Sequence, residues 1–200
     1  MDFDAIVRSR RMCRDFTDEP VAPEVLDAVL ATAFRGPTAG NTNMLDLVVL
    51  TGDDTHRYWD VTLPREARGD FRWPGLLRAP VLVLPVVNPV AYLDRYSEPD
   101  KAHTGLGASA DQWQVPYWWV DGGAAVMAML LAAERHGLGA LLFGQMTHES
   151  DVSTALGIPD GRRSVGTVAL GHPAVGARSA QASARRGRPD PSDCIHRNGW

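Results

Sequence analysis

Residues 118–136, Trp118-Trp119-Val120-Asp121-Gly122-Gly123-Ala124-Ala125-Val126-Met127-Ala128-Met129-Leu130-Leu131-Ala132-Ala133-Glu134-Arg135-His136, read as one helix with hardly any polar side. Val120, Ala124, Val126, Met127, Met129, Leu130, Leu131 and Ala133 surround it rather than forming one stripe. Such a helix belongs in a core or at a subunit interface, because none of its faces suits water. Gly137 supplies the C-terminal cap, since it has no Cβ to oppose a left-handed backbone. Leu138 to Met146 then reads as a strand.

Upstream, residues 2–11 can form a short helix with Phe3, Ile6 and Val7 as its apolar face. Pro23 stands at a second helix start, and Val25, Leu26, Val29, Leu30 and Ala33 follow at helical spacing until Gly36-Pro37. Leu45 to Leu50 is a strand closed by Gly52, and residues 53–60 add a helical turn. Residues 80–87 read as a buried strand, whose Pro85 predicts an edge position or a strand end. Residues 88–116 are polar, punctuated by Gly and Pro, and without clear periodicity; a functional excursion or a partly mobile segment is expected there. Downstream, Glu149 to Leu156 is a short helix ended by Gly157-Ile158-Pro159. Ser164 to Leu170 is a strand entering Gly171-His172-Pro173, and Val175 to Trp200 forms a polar, extended tail. Helices and strands interleave without regular βαβ alternation, and no glycine pattern fits a dinucleotide fingerprint or a P-loop. An α+β class is therefore expected rather than a doubly wound sheet.

With 200 residues, 44% apolar and 22% charged, the chain has the composition of a globular protein of one substantial domain or two small ones. No apolar run is long enough for a transmembrane helix. The acidic, then arginine-rich start has no signal-peptide h-region, so a cytoplasmic location is expected. Cys13 and Cys194 stand at opposite ends, with neither disulfide nor metal-knuckle spacing. His56, His103, His136, His148, His172 and His196 are scattered, so no metal site is expected. The net charge of −4 gives no general attraction to nucleic acid.

Charge distribution says more than the sum. Only Lys101 among the twenty basic residues is a lysine. Arginines crowd residues 8–14, and Arg185, Arg186 and Arg188 gather near the C-terminus. Arg10, Arg11 and Arg14 repel one another unless an anion collects them, and a phosphate monoester near −2 suits their planar forks; read singly, each is also ordinary solvated surface charge that salt screens. Gly36-Pro37-Thr38-Ala39-Gly40-Asn41-Thr42-Asn43 is a small, turn-forming loop whose backbone can approach a flat ligand, with Asn41 and Asn43 offering amides to a heterocycle. Taken alone, it also reads as an ordinary turn. Trp113, Tyr117, Trp118 and Trp119 either close a substrate pocket or pack in a core or interface.

Together these segments resemble the FMN-dependent nitroreductase family over essentially the whole chain. Arg10-Arg11-Met12-Cys13-Arg14-Asp15-Phe16 is similar to its N-terminal R-R-S-x-R-x-F motif. Pro37 to Asn43 is similar to its P-S-A-x-N-x-Q loop. Asp121 through Gly144 resembles its central helix and G-L-G-A strand. Gly171-His172-Pro173 and Arg186-Gly187-Arg188-Pro189 resemble its G-Y-P turn and terminal K-x-R-x-P segment.

The resemblance implies one nitroreductase-like domain over 1–200, with a mixed, mainly antiparallel sheet flanked by helices in an interlocked homodimer. Residues 88–116 would be a substrate-side excursion, and 175–200 an arm reaching the partner. Arg10, Arg11, Met12, Arg14, Arg186 and Arg188 would surround the FMN phosphate and ribityl chain. Pro37, Thr38, Ala39, Asn41 and Asn43 would line the isoalloxazine, with Phe143 and Gly144 at its other edge. NAD(P)H would reduce the flavin, and a small acceptor such as a nitroaromatic or quinone would then take the electrons, with no catalytic side chain required. The other class of reading is a non-catalytic protein of the same fold that binds or sequesters a flavin or deazaflavin; a narrower flavin reaction is a third. Two departures stand out: Met12 replaces the family's serine, and Asn43-Met44-Leu45 replaces Q-P-W or Q-P-F.

Overall fold

In the computed structural model, which describes residues 2–177 and 187–200, local signals start most helices. Asp2 caps α1 (Phe3–Ser9) by accepting from the Ala5 N–H at 2.8 Å. Proline opens α2 (Pro23–Ala31), which tightens into a 3₁₀ turn over Thr32–Arg35. Strand β1 (Leu45–Thr51), helix α3 (Thr55–Thr62), strand β2 (Val81–Val87) and helix α4 (Pro89–Ser97) follow. Then come α5 (Tyr117–Arg135), β3 (Gly139–Phe143), α6 (Glu149–Leu156), β4 (Arg163–Ser164), β5 (Thr167–Gly171) and the short α7 (Pro191–Cys194).

The sheet runs β1-β2-β5-β3, with β4 also beside β2. Every ladder is antiparallel; the parallel contact is an isolated bridge between Met12 and Ala140. Alternation assigns the two faces, because successive side chains point oppositely. Val81 and Val83 join Val168, Leu170 and Ala140 against α2 and α5. Leu82, Leu84 and Val86 join Ala169 and Leu141 against Tyr58 and Trp59 of α3 and Val152 of α6.

Pro85 corrects an expectation. Its strand is interior, paired on both sides, not an edge. The missing donor is tolerated because Pro85 lies opposite the break between β4 and β5, where its carbonyl accepts from Val165 N–H at 2.9 Å. On that side the ladder to β5 ends at Val83–Val168 and the one to β4 begins at Val86–Ser164. The strand expected over 164–170 is thus two strands, with Gly166 at φ 135° between them.

Helix α5 ends as its sequence predicts. Gly137 takes φ 75°, its N–H donates to Glu134, and the Leu138 N–H donates to Ala133. These bonds form a Schellman cap. Ala125, Val126, Met129, Leu130 and Ala133 face the core, while Val120 and Met127 remain 49% and 41% exposed in the single chain. Residues 88–116 are more ordered than their composition suggested: α4 and 3₁₀ turns at Ala102–Thr104 and Ala110–Gln112 build a cluster around Tyr92, Trp113 and Trp118. The signal for α4 was Asn88-Pro89, a proline at the first helical position. Among the described residues no helix is long and apolar enough to cross a membrane.

Candidate functional site

The arginine segment leaves α1 in extended form and is tied to the sheet. Cys13 N–H donates to the Ala140 carbonyl at 2.9 Å, Phe16 bridges Pro173, and Cys13 and Phe16 are wholly buried. Its three arginines therefore diverge in role. Arg11 turns back, its Nη1 donating to the Arg8 and Arg10 carbonyls at 2.6 and 2.9 Å, and so satisfies the C-terminal end of α1. Arg10 buries Nη1 without a hydrogen-bond partner. Arg14 lies over the Trp73 ring at 5.7 Å, and Arg72 lies at 5.2 Å from the same ring. Arg14, Arg72 and Trp73 line a cavity of about 240 Å³ with Asp15, Gly75 and Gly176. The one carboxylate there, Asp15, is taken by Arg78 at 2.6 Å. Met12 packs against both core layers, filling the place of a hydroxyl with apolar contact.

The loop from Pro37 to Asn43 is held in a left-handed path, with φ of 64° at Gly40, 57° at Asn41 and 50° at Asn43. Asparagine tolerates that region better than most residues. The Asn43 amide donates to Asn41 Oδ1 at 2.7 Å, and its Oδ1 accepts from the Thr38 hydroxyl at 3.1 Å. Three contacts from outside fix the loop. Asp121 Oδ2 accepts from Ala39 N–H at 2.8 Å and from the Tyr92 hydroxyl at 2.7 Å. Arg95 Nε donates to the Gly40 carbonyl at 2.8 Å, while its Nη1 and Nη2 grip Asp100. Tyr96 lies under Gly40 so closely that a Cβ there would meet its Cε2 at 2.7 Å. Burial, reinforced by the Asp121 carboxylate, pushes the Tyr92 hydroxyl pKa well above the ordinary tyrosine value. Arg95 holds the Asp100 carboxyl down at about 2.

Behind the loop, Pro37, Thr38, Asn43, Tyr92, Asp121 and Gly122 border a cavity of about 150 Å³. Tyr92, Arg95 and Tyr96 were not singled out as site residues in the sequence, nor were Asp121, Arg72 and Trp73. The available signal was Asp121 itself, a lone carboxylate in the first half of an almost wholly apolar helix.

At the far end of β3, Phe143 stacks on Trp59 with ring centroids 5.9 Å apart and planes within 2°, so its ring belongs to the core layer. Gly144 is exposed. The turn after it is pinned by the buried Gln145, whose amide donates to Thr167 Oγ1 at 3.3 Å; the Thr167 hydroxyl donates onward to Tyr58 Oη at 3.0 Å. Burial pushes the Tyr58 hydroxyl up to about 12 from 10.0, partly countered by its hydroxyl neighbours Thr167 and Thr62. A raised folded-state pKa favours the protonated form, so this stability is complete below about pH 10 and is lost as pH rises through 12. Alkaline unfolding followed by circular dichroism should therefore steepen between pH 10 and 12, and Tyr58→Phe should flatten that part of the curve.

The two halves of the expected site do not meet within one chain. The Pro37–Asn43 loop joins α5 at Asp121, near its start, whereas the arginine segment joins the sheet at Ala140, beyond its end. At 1.5 Å per residue, Asp121 and Arg135 are about 20 Å apart along the helix. Arg188 is exposed, and Arg186, like Arg185, lies outside the described residues. Among the described residues no cluster of three or more His, Cys, Asp or Glu side chains is placed to hold a metal ion.

Similar folds are found among solved structures at low identity. YcnD of Bacillus subtilis, described as a hypothetical oxidoreductase, superposes with a TM-score of 0.75 at 23% identity, over 100% of this chain and 75% of its own. The NfrA1 nitroreductase of the same organism gives 0.74 at 18% identity, over 99% and 74%. A Desulfovibrio desulfuricans protein described as a nitroreductase and solved in complex with FMN gives 0.69 at 22% identity, over 100% and 98%. The family model for the nitroreductase family matches residues 7–172. With that match spanning both the arginine segment and the final strand, the chain belongs to the nitroreductase family.

Proposed function

We propose that the protein is an FMN-dependent oxidoreductase that passes electrons from NAD(P)H to a small acceptor such as a nitroaromatic or quinone. The observation that carries this reading is the buried, unpartnered Nη1 of Arg10. A buried donor left unsatisfied costs about 1–3 kcal/mol, and an anionic oxygen placed there would repay it. Arg10, with Arg14, Arg186 and Arg188 as further cations, would hold the phosphate. Pro37, Thr38, Ala39, Asn41 and Asn43 would form a wall for the ring, while Gly144 would offer backbone to its other edge. Bound FMN would supply the two-electron chemistry, which needs no side-chain nucleophile or base.

Because the loop is anchored at Asp121 near the start of α5 and the arginine segment at Ala140 beyond its end, with about 20 Å of helix between Asp121 and Arg135, the reading includes a homodimer in which each flavin site draws on both subunits. Exposed Phe3, Val7, Phe34, Val120 and Met127 supply apolar surface for that assembly. Sedimentation of the purified protein should give twice the chain mass. It should be yellow, or become yellow with added FMN, and anaerobic NADPH or NADH should bleach the colour. A protein that takes up no FMN sinks the proposal; one that binds FMN but is never bleached is a binding protein instead.

A further inference from the structure

Among the described residues, four that are not glycine have a positive φ. Three are asparagines, which tolerate the left-handed region; the fourth is Met146, at φ 53°. A methionine held there brings its Cβ close to the following carbonyl oxygen. Packing within the chain does not repay that strain, because Met146 is 89% exposed. The residue before it, Gln145, has φ −86° and ψ −5°, in the sparsely allowed bridge at the edge of the right-handed region. Two such residues in succession mean that the surroundings impose the path of the chain.

What imposes it is buried. Gln145 is 7% exposed, although Gly144 and Met146 on either side are exposed. Its amide Nε2 donates to Thr167 Oγ1 at 3.3 Å, and that hydroxyl donates to the buried Tyr58 Oη at 3.0 Å. Thr167 stands opposite Phe143 in the β3–β5 ladder, so Gln145 is held from the neighbouring strand, two residues past the last ladder pair. Gly166 approaches the same bend from the other side: a Cβ there would stand 2.8 Å from the Phe143 carbonyl oxygen. The Phe143 ring completes the layer, stacked on Trp59 and edge-on to Tyr58 at 6.1 Å. An apolar side chain at 145 would fill this space without needing a partner for a buried amide, so packing alone does not call for glutamine. A satisfied polar chain fixes a direction, which apolar contact does not.

We propose that Gln145 and Thr167 are positioning residues for the flavin. The chain Gln145–Thr167–Tyr58 holds the Gly144–Met146 backbone in its strained turn, and the held turn sets how tightly oxidised FMN is bound relative to reduced FMN. The inference rests on the function proposed above, in which Gly144 offers backbone to the ring edge. Reduction changes the charge and the hydrogen-bonding demand of the ring, so backbone groups fixed at its edge favour one redox form, and a turn free to relax favours it less. Gln145 and Thr167 act through the main chain and not on the ring itself.

The test compares FMN-loaded wild type with Thr167→Val, an isostere without the hydroxyl, and with Thr167→Ser, which keeps it. Thr167→Val should change the ratio of affinities for oxidised and reduced FMN about tenfold, read as a shift of about 30 mV in the two-electron midpoint potential. Thr167→Ser should return to the wild-type potential. Gln145→Met, which removes the amide at the turn itself, should reproduce the valine shift and serves in its place where Thr167→Val does not fold. Met146 offers the same check from the outside. Met146→Val forces a β-branched residue into the left-handed region and should also shift the potential, whereas Met146→Gly accepts φ 53° and should not. A shift in Met146→Gly as large as in Met146→Val assigns the effect to the side chain and overturns the proposal. So does a Thr167→Val protein that unfolds at lower temperature without flavin yet keeps the wild-type potential; the flavin reading then stands without it. A wild-type protein that takes up no FMN overturns both.

Discussion

Arg10→Ala is expected to weaken FMN binding roughly 10- to 150-fold, the equivalent of losing about 1.5–3 kcal/mol from a charge-assisted hydrogen bond. The effect is large because Nη1 is already buried, so the bond it would make to phosphate requires little further desolvation of the guanidinium. Arg11→Ala is the matched control. Its guanidinium is spent on the Arg8 and Arg10 carbonyls, and its loss should cost FMN affinity much less. The flavin-free form offers a second readout with the opposite sign: removing an unsatisfied buried donor should leave the Arg10→Ala protein as stable as the wild type or slightly more so. Quenching of flavin fluorescence on titration, together with thermal unfolding without flavin, measures both. Full affinity in Arg10→Ala would remove that residue from the site.

Asp121→Ala should cost about 3 kcal/mol of stability, lowering Tm by roughly 6–12 °C for a chain of this size. One carboxylate oxygen serves two donors, the Ala39 N–H and the Tyr92 hydroxyl, and Tyr92 is only 2% exposed. Truncation strands both. It also unties the Pro37–Asn43 loop from α5 and α4, so on the proposed function FMN affinity should fall along with stability. Asp121→Asn keeps an oxygen able to accept from both donors and should recover most of the loss, which distinguishes the hydrogen bonds from the charge. If the alanine variant unfolds at the wild-type temperature, Asp121 does not hold these segments together.

Much of this architecture is local and therefore visible in the chain itself. The all-round apolar run of α5, the Gly137 cap, the proline start of α2 and the aliphatic run of β2 each follow from the steric and solvation preferences of neighbouring residues. The motif order from Arg10 to Pro173 carried the family with it. Pro85 shows the limit: whether a strand is an edge depends on which distant segments pair with it, and the break between β4 and β5 lies some eighty residues away. Residues 88–116 show another. Their order comes from Tyr92, Trp113 and Trp118 packing on one another, contacts that have no period in the sequence.

The arginine cluster divides along the same line. Its composition raised the expectation of an anion site, because three cations within five residues repel one another unless an anion collects them or solvent screens them. Only the tertiary structure distinguished them, since the fold decides what lies beside each guanidinium: two backbone carbonyls for Arg11, the Trp73 indole face for Arg14 and no hydrogen-bond partner for the buried Nη1 of Arg10. The separation of that cluster from the Pro37–Asn43 loop was likewise decided in three dimensions, by the length of the helix packed between their anchor points.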